Sequence, residues 1–248
     1  MIIYVKDLWW QLILVAIASY LIGSINFAVI ISKLKKQDIR QIGSGNPGTL
    51  NMSRNFGIGI GVLTLCLDVI KGVIPTLTAY LIYKDYIFNH TTLPISLIAK
   101  VIAGFFVVLG HVFPVFMKFK GGKGIATTIG VFLVCNWVVA LISGVCSIVF
   151  ILLTEIGSMG SFIATTPGAI ATSYSVYKYY IMAEEAVLAG QIIAVSLTNL
   201  LIVGIIVLTW YAHRKNIERL IAGEEHATNW LQMIREKIIK NKVKKNKS

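Results

Sequence analysis

The chain has 248 residues, of which 56% are hydrophobic and only 14% charged, with a mean hydropathy of +0.76. Soluble domains carry about a quarter charged residues, so the composition excludes an ordinary water-soluble fold and indicates a polytopic integral membrane protein. The formal charge of +12 sits beside apolar runs and in the tail, which argues against nucleic acid and for anionic membrane lipids or an anionic substrate.

Six stretches reach the roughly 20 apolar residues that a span requires: 8–31, 58–83, 93–117, 125–154, 158–180 and 186–211. The first is too long for a cleaved signal peptide and is read as retained. Trp9 and Trp10, and later Trp210 and Tyr211, fall where interfacial aromatic anchors are expected. Loop 33–56, the turn 118–123 and the region after Tyr211 together hold 18 of the 23 lysines and arginines. The positive-inside rule places all three in the cytoplasm, with residues 84–92 and the neighbourhood of Glu155 outside. That assignment requires an odd number of crossings. Either one of the six stretches fails to cross, or one conceals two short helices. Stretch 125–154 is long enough to tilt strongly or break, and 158–180, with Thr165, Thr166, Pro167 and Gly168, is the weakest span.

Cys66, Cys135 and Cys146 lie in apolar runs and read as buried thiols. The four histidines form no zinc pattern, and no metal or cofactor is called for. Beyond Gly223 the chain turns polar, with Trp230, Leu231, Ile234 and Ile238 at helical spacing and a basic run from Lys240 to Ser248. The expectation is a membrane domain over 1–225 and a basic tail over 226–248, partly an interfacial helix and disordered at its end.

Three connecting segments concentrate the chemistry. The first loop reads GSGNPGTLN over 43–51, followed by Arg54. Gly43, Gly45 and Gly48 satisfy the dinucleotide fingerprint, but no strand precedes them, so the match is rejected. What remains is a set of backbone donors beside a helix start, with Pro47 at an early helical position and Arg54 able to clamp an anion. The second segment, GHVFPVFMKFKGGKGIAT over 110–127, crowds Lys118, Lys120 and Lys123 around Gly121, Gly122 and Gly124. Its glycines are expected to turn amides toward an anion that the lysines hold. It is not a P-loop, since Gly124 follows Lys123. The third, HRKNIERLIAGE over 213–224, sets His213 and Asn216 on one helical face. His213 with Glu218 approaches an H-x₄-D pattern, but the acid is wrong and the spacing off-face. His90 and His226 look incidental. Within a span, Asp68 and Lys71 share a face and read as a structural ion pair.

These segments, in this order and together with residues 20–26 and 67–72, resemble the bacterial integral-membrane glycerol-3-phosphate acyltransferases that use acyl phosphate as donor. The resemblance implies an all-α integral membrane protein, a compact helical bundle of seven helices, with the amino end outside and the carboxyl end in the cytoplasm of a plasma-membrane protein. It implies catalytic roles for Ser44, Arg54, His213 and Asn216. It also implies substrate binding by Gly45, Asn46, Gly48, His111, Lys120, Gly121, Gly122, Lys123, Gly124 and Glu224. The chain departs from the family with Thr49-Leu50 for Ala-Thr, Asn26 for Pro and Ala212 for Arg. The implied reaction joins an acyl group to the first-carbon hydroxyl of glycerol 3-phosphate, and two phosphate-bearing substrates account for two cation clusters. Ser44 has no base nearby in sequence and is read as a hydrogen-bonding residue. An anion transporter is the alternative, but its polar groups belong near mid-membrane.

Overall fold

The computed structural model describes residues 2–3, 5–88, 94–181, 188–225 and 227–245. These form eleven α-helices and two 3₁₀ turns. A two-residue parallel pairing joins Ile2–Ile3 to Ile87–Phe88. Loop residues 89–92, with His90, and His226 lie outside the described residues, as do 186 and 187 of the last apolar stretch.

Helix α1 (Val5–Gly23) stops short of the expected end, and Asn26 caps α2 (Phe27–Leu34), its Oδ1 accepting from the Val29 amide at 3.0 Å. A 3₁₀ turn (Ile39–Gln41) leads to α3 (Thr49–Phe56) and α4 (Ile58–Tyr83). Helix α5 (Ile95–Val112) is the axis. Of its apolar span, 67% is buried inside the protein, against 22–33% for the other four spans of membrane length.

The long stretch 125–154 divides. Helix α6 (Ile125–Cys135) ends where the Asn136 backbone leaves the helical region, and α7 (Trp137–Thr154) follows. Asn136 is a polar residue inside an otherwise apolar run, and its amide still bonds to Phe132. Two short helices concealed in one apolar stretch is therefore what the structure contains.

The weakest sequence span is one continuous helix, α8 (Gly157–Ile181), with Pro167 inside it. Its mean hydropathy is too low to register as a span, because hydroxyls supply much of its surface. Four of those hydroxyls are satisfied by the helix's own backbone. Ser161, Thr165, Thr172 and Ser175 bond back to carbonyls one turn earlier. Ser143 and Ser147 of α7 donate to the Ala164 and Gly160 carbonyls of α8 at 3.2 and 2.6 Å. Helix α9 (Leu188–Ala212), α10 (Arg214–Ile221) and α11 (Trp230–Lys245) complete the chain. Helix α11 extends to Lys245, and residues 246–248 lie outside the described residues.

Contacts order the chain between two ends. The Tyr20 hydroxyl of α1 reaches the Phe113 carbonyl beyond α5 at 2.8 Å, so these helices finish at the same end. The Thr228 amide bonds to the Glu155 carbonyl at 3.0 Å, and Gly157 lies against Thr228 and Leu50. The α7–α8 link thus sits at the end that carries α3 and the tail. Glu155 was expected on the opposite side. The break at Asn136 puts a second helix between Gly124 and Glu155, which the sequence reading took as one stretch.

Exposed side chains of α1, α4, α7 and α9 are chiefly large apolar groups such as Ile13, Ile74, Val145 and Leu200. A polar exterior is unnecessary where hydrocarbon is the solvent. The same logic corrects the cysteines: Cys66 and Cys146 face outward, and only Cys135 is partly buried. Helix pairs approach through glycine. A Cβ on Gly72 would overlap the Thr127 carbonyl, and one on Gly130 would overlap that of Val69, so α4 and α6 pack backbone to backbone.

Gly130→Ala is accordingly expected to cost about 1–3 kcal/mol through overpacking, read as a lower midpoint of thermal inactivation in detergent. Gly144→Ala, where an added Cβ meets nothing within 4 Å, should leave that midpoint unchanged.

Candidate active site

The first loop is folded by a residue that the sequence reading passed over. Asn51 is buried, and its amide donates to the Ile42 and Ile39 carbonyls at 3.0 and 3.3 Å. Its Oδ1 accepts from the Ser44 amide at 3.2 Å and from the Asn55 side chain at 3.0 Å. Gly43 and Gly45 take positive φ. Gly48, whose amide bonds to the Asn46 carbonyl, begins α3 with no side-chain cap. Pro47 is buried and lies before the helix, so it occupies no helical position. The Ser44 side chain is exposed, as is Arg54, one turn beyond Asn51 on α3. Arg40 is engaged by Asp38, whose carboxyl that guanidinium holds down to about 2.

In the second segment, Lys118 and Phe119 turn the chain with positive φ, and Gly124 at φ +82° begins α6, again without a side-chain cap. The Gly121 and Gly122 amides do not point at an open anion site. They bond to the Val112 and His111 carbonyls at 3.1 Å. These glycines serve close approach instead: a Cβ at Gly121 would overlap the His111 carbonyl, and one at Gly122 the His111 ring. Amides for an anion come more naturally from the uncapped first turns of α3 and α6.

His111 lies 4% exposed beneath the turn, with Nδ1 3.1 Å from the Thr127 hydroxyl and 2.9 Å from the Lys71 ammonium. It contacts the turn from below. Lys120 is exposed.

Lys123 is the lysine that the fold uses. Its ammonium donates to Asn216 Oδ1 at 2.6 Å, and the Asn216 amide donates to Glu225 Oε1 at 3.1 Å. Burial pushes the Lys123 ammonium down to about 8, against the pull of Glu225, and the charges of Arg219 and Arg54 push it further. His213 is buried at the junction of α9 and α10. Its Nδ1–H donates to the Thr209 carbonyl at 2.8 Å, which leaves Nε2 with the lone pair. Burial, then the Lys123 charge, lowers this imidazole to about 4.

The segment after α10 closes the arrangement. The Arg54 guanidinium donates to the Ala227 carbonyl at 2.8 Å, 173 residues away in sequence. Arg54, Lys123, His213 and Asn216 therefore gather at one end of the bundle, with Ser44 tied in through Asn51. Glu224 is exposed and does not join them; its neighbour Glu225 does. Sequence reasoning also missed Arg219, one helical turn from Asn216, and Phe162, whose ring edge meets His213 at 5.5 Å. Helical spacing could have found Arg219; nothing in the sequence signals Phe162. Among the described residues, no cluster of His, Cys, Asp and Glu could hold a metal ion.

The family model described as glycerol-3-phosphate acyltransferase matches residues 13–223. A glycerol-3-phosphate acyltransferase of Mycoplasmopsis pulmonis is 33% identical over 218 residues, covering 86% of this chain and 92% of its own length. Glycerol-3-phosphate acyltransferase 2 of Bacillus anthracis is 38% identical over 215 residues, covering 86% and 97%. The crystal structure of PlsY, an integral membrane glycerol 3-phosphate acyltransferase, in its glycerol 3-phosphate form shares 32% identity with a TM-score of 0.69. It covers 90% of this chain and 98% of that one. Its lysophosphatidic acid form gives 0.65. The chain belongs to the glycerol-3-phosphate acyltransferase family and is an integral membrane acyltransferase.

Proposed function

We propose that this protein transfers an acyl group from acyl phosphate to the first-carbon hydroxyl of glycerol 3-phosphate, releasing lysophosphatidic acid and inorganic phosphate at the cytoplasmic face of the plasma membrane. The observation that carries this reading is the Lys123–Asn216–Glu225 chain, with Arg54 and His213 gathered at the same end. Seven crossings, with the amino end outside and the carboxyl end inside, fit the alternation of α1, α4, α5, α6, α7, α8 and α9. Helix α6, with 11 residues, is short for a crossing. The active end carries the basic loops, in accord with the positive-inside rule. Helix α11, rich in lysine, then lies on anionic lipid as part of a tail distinct from the membrane domain.

Acyl phosphate is an activated donor, so the protein's tasks are positioning and charge stabilisation. The glycerol oxygen attacks the acyl carbon, the acyl–oxygen bond to phosphate breaks, and the hydroxyl proton ends on the departing phosphate. A His213 imidazole lowered to about 4 is a weaker base than phosphate, whose second pKa is about 6. Its Nε2 is placed to accept the hydroxyl's hydrogen bond and aim the oxygen. Lys123, Arg54 and the uncapped first turns of α3 and α6 hold the phosphates, and Ser44 hydrogen-bonds to one of them.

An apolar groove of about 610 Å³ between α8 and α9, lined by Ala169, Ile170, Ile206, Val207 and Trp210, suits the donor's acyl chain. Trp210 packs on Phe162 at 5.1 Å, and Phe162 abuts His213, so the groove leads to the reacting end.

Purified protein given acyl phosphate and labelled glycerol 3-phosphate should yield 1-acyl lysophosphatidate and one phosphate per turnover. Product formed only from acyl-CoA or acyl carrier protein would overturn the donor, and none from any donor would overturn the reaction. Lys123→Ala and Arg54→Ala should each lower kcat/KM roughly ten- to hundredfold, the size of a lost charge-assisted hydrogen bond. Lys120→Ala, at an exposed position, should change it less than about threefold.

Because the Lys123 ammonium is charged below about 8, phosphate binding should be intact at neutral pH and fall as pH rises through that value. The alkaline limb of the kcat/KM profile should sit near there in the native protein and move upward in Lys123→Arg, whose guanidinium stays charged. An unmoved limb would assign the titration to another group.

A further inference from the structure

The ion pair inside α4 has a geometry that a simple structural pair does not need. The Lys71 side chain is 1% exposed, and its ammonium lies 3.1 Å from Asp68 Oδ1. The same nitrogen donates to the Ile25 carbonyl at 2.8 Å and lies 2.9 Å from His111 Nδ1. Its charge also stands over the Phe27 ring at 5.7 Å. Three segments thus meet at one cation: its own helix α4, the entry to α2, and the last turn of α5.

Each of the two remote contacts leads to a loop of the active end. Ile25 and Phe27 flank Asn26, the cap of α2, and α2 delivers the chain to the Ser44–Arg54 loop. His111 receives the Gly122 amide on its carbonyl, and its ring fills the space beside Gly122 that a Cβ would need. Lys123 is the next residue. The other polar groups facing the cluster are Asp68, 3.8 Å from His111 Nδ1, and the Thr127 hydroxyl of α6. A buried ammonium has directional donors and a high cost if they go unused, so it resists displacement of the segments bonded to it.

We infer that Lys71, held by Asp68, is a positioning residue for the acyl transfer, setting the glycine turn through His111 and the first loop through Ile25. The inference rests on the reading that these loops hold the substrate phosphates. It touches neither substrate nor the reacting atoms, and acts through the segments it joins.

The test compares native protein with Asp68→Leu/Lys71→Met and with Lys71→Gln. The double variant removes both charges, and exchanging a buried pair for apolar residues is often tolerated, whereas removing one partner strands the other. The double variant is expected to keep most of the native thermal midpoint, and Lys71→Gln, which strands Asp68, to lower it without abolishing folding. KM for the phosphate-bearing substrate should rise at least about tenfold, in keeping with the cost of small misplacements, while kcat at saturation changes much less. Tryptic cleavage after Lys120 and Lys123 should accelerate. Calorimetric titration with inorganic phosphate should show the same weakening, and this arm does not depend on turnover. If native protein fails to acylate glycerol 3-phosphate yet loses phosphate binding in the variants, the proposed reaction falls and the positioning role stands. Native KM, phosphate affinity and cleavage rate in both folded variants would overturn the positioning role.

Discussion

One partly buried ammonium sets the requirements for the active end. A lysine withdrawn from water needs acceptors, and Lys123 finds Asn216, contributed from the far side of the last membrane helix. Asn216 must then be held with its oxygen toward the lysine, and Glu225 does this by accepting from its amide. Placing Glu225 brings the following residues across the end of the bundle, where Ala227 meets Arg54 and Thr228 meets Glu155. Each contact supplies a partner that the preceding one leaves wanting. Cations are thereby fixed in a place where water alone would have left them mobile.

The bundle makes this possible by leaving little room elsewhere. Between helices, backbones touch at glycine pairs, and around the outside the surface stays apolar. Polar chemistry is pushed to the end where the loops collect. Inside the bundle, Thr165 and Thr172 of α8 bond to carbonyls one turn earlier, and Lys71 is set between Asp68 and His111.

The three connecting segments were legible because glycines, cations and flanking apolar runs are local signals, and each falls where the chemistry gathers. Charge called for an odd number of crossings and 125–154 was one stretch that could break, but the position of the break was not legible. Hydropathy averages across a single Asn136, so two helices read as one and Glu155 was assigned to the wrong end. The cysteines were misread because an apolar neighbourhood in such a chain can mean lipid as readily as core. The glycine amides were expected to face an anion. Whether an N–H is already spent on a carbonyl is a matter of tertiary contact, which spacing does not report. Glu224 and Glu225 are adjacent and chemically alike, and only the turn at Gly223, with φ +73°, decides which carboxylate faces Asn216. Asn51 was quoted as the last letter of a motif, yet its side chain is the bolt of that loop.

The residues that seal the active end come late in the chain. Glu225, Ala227 and Thr228 leave the ribosome after every membrane helix, so during synthesis the cations of the earlier loops stand without their organiser. Their contacts with the earlier segments are therefore last in the order of synthesis. A polypeptide cut short before Glu225 would carry the recognisable motifs and still lack the clasp that draws them together, which makes the closing segment a built-in certificate of completion.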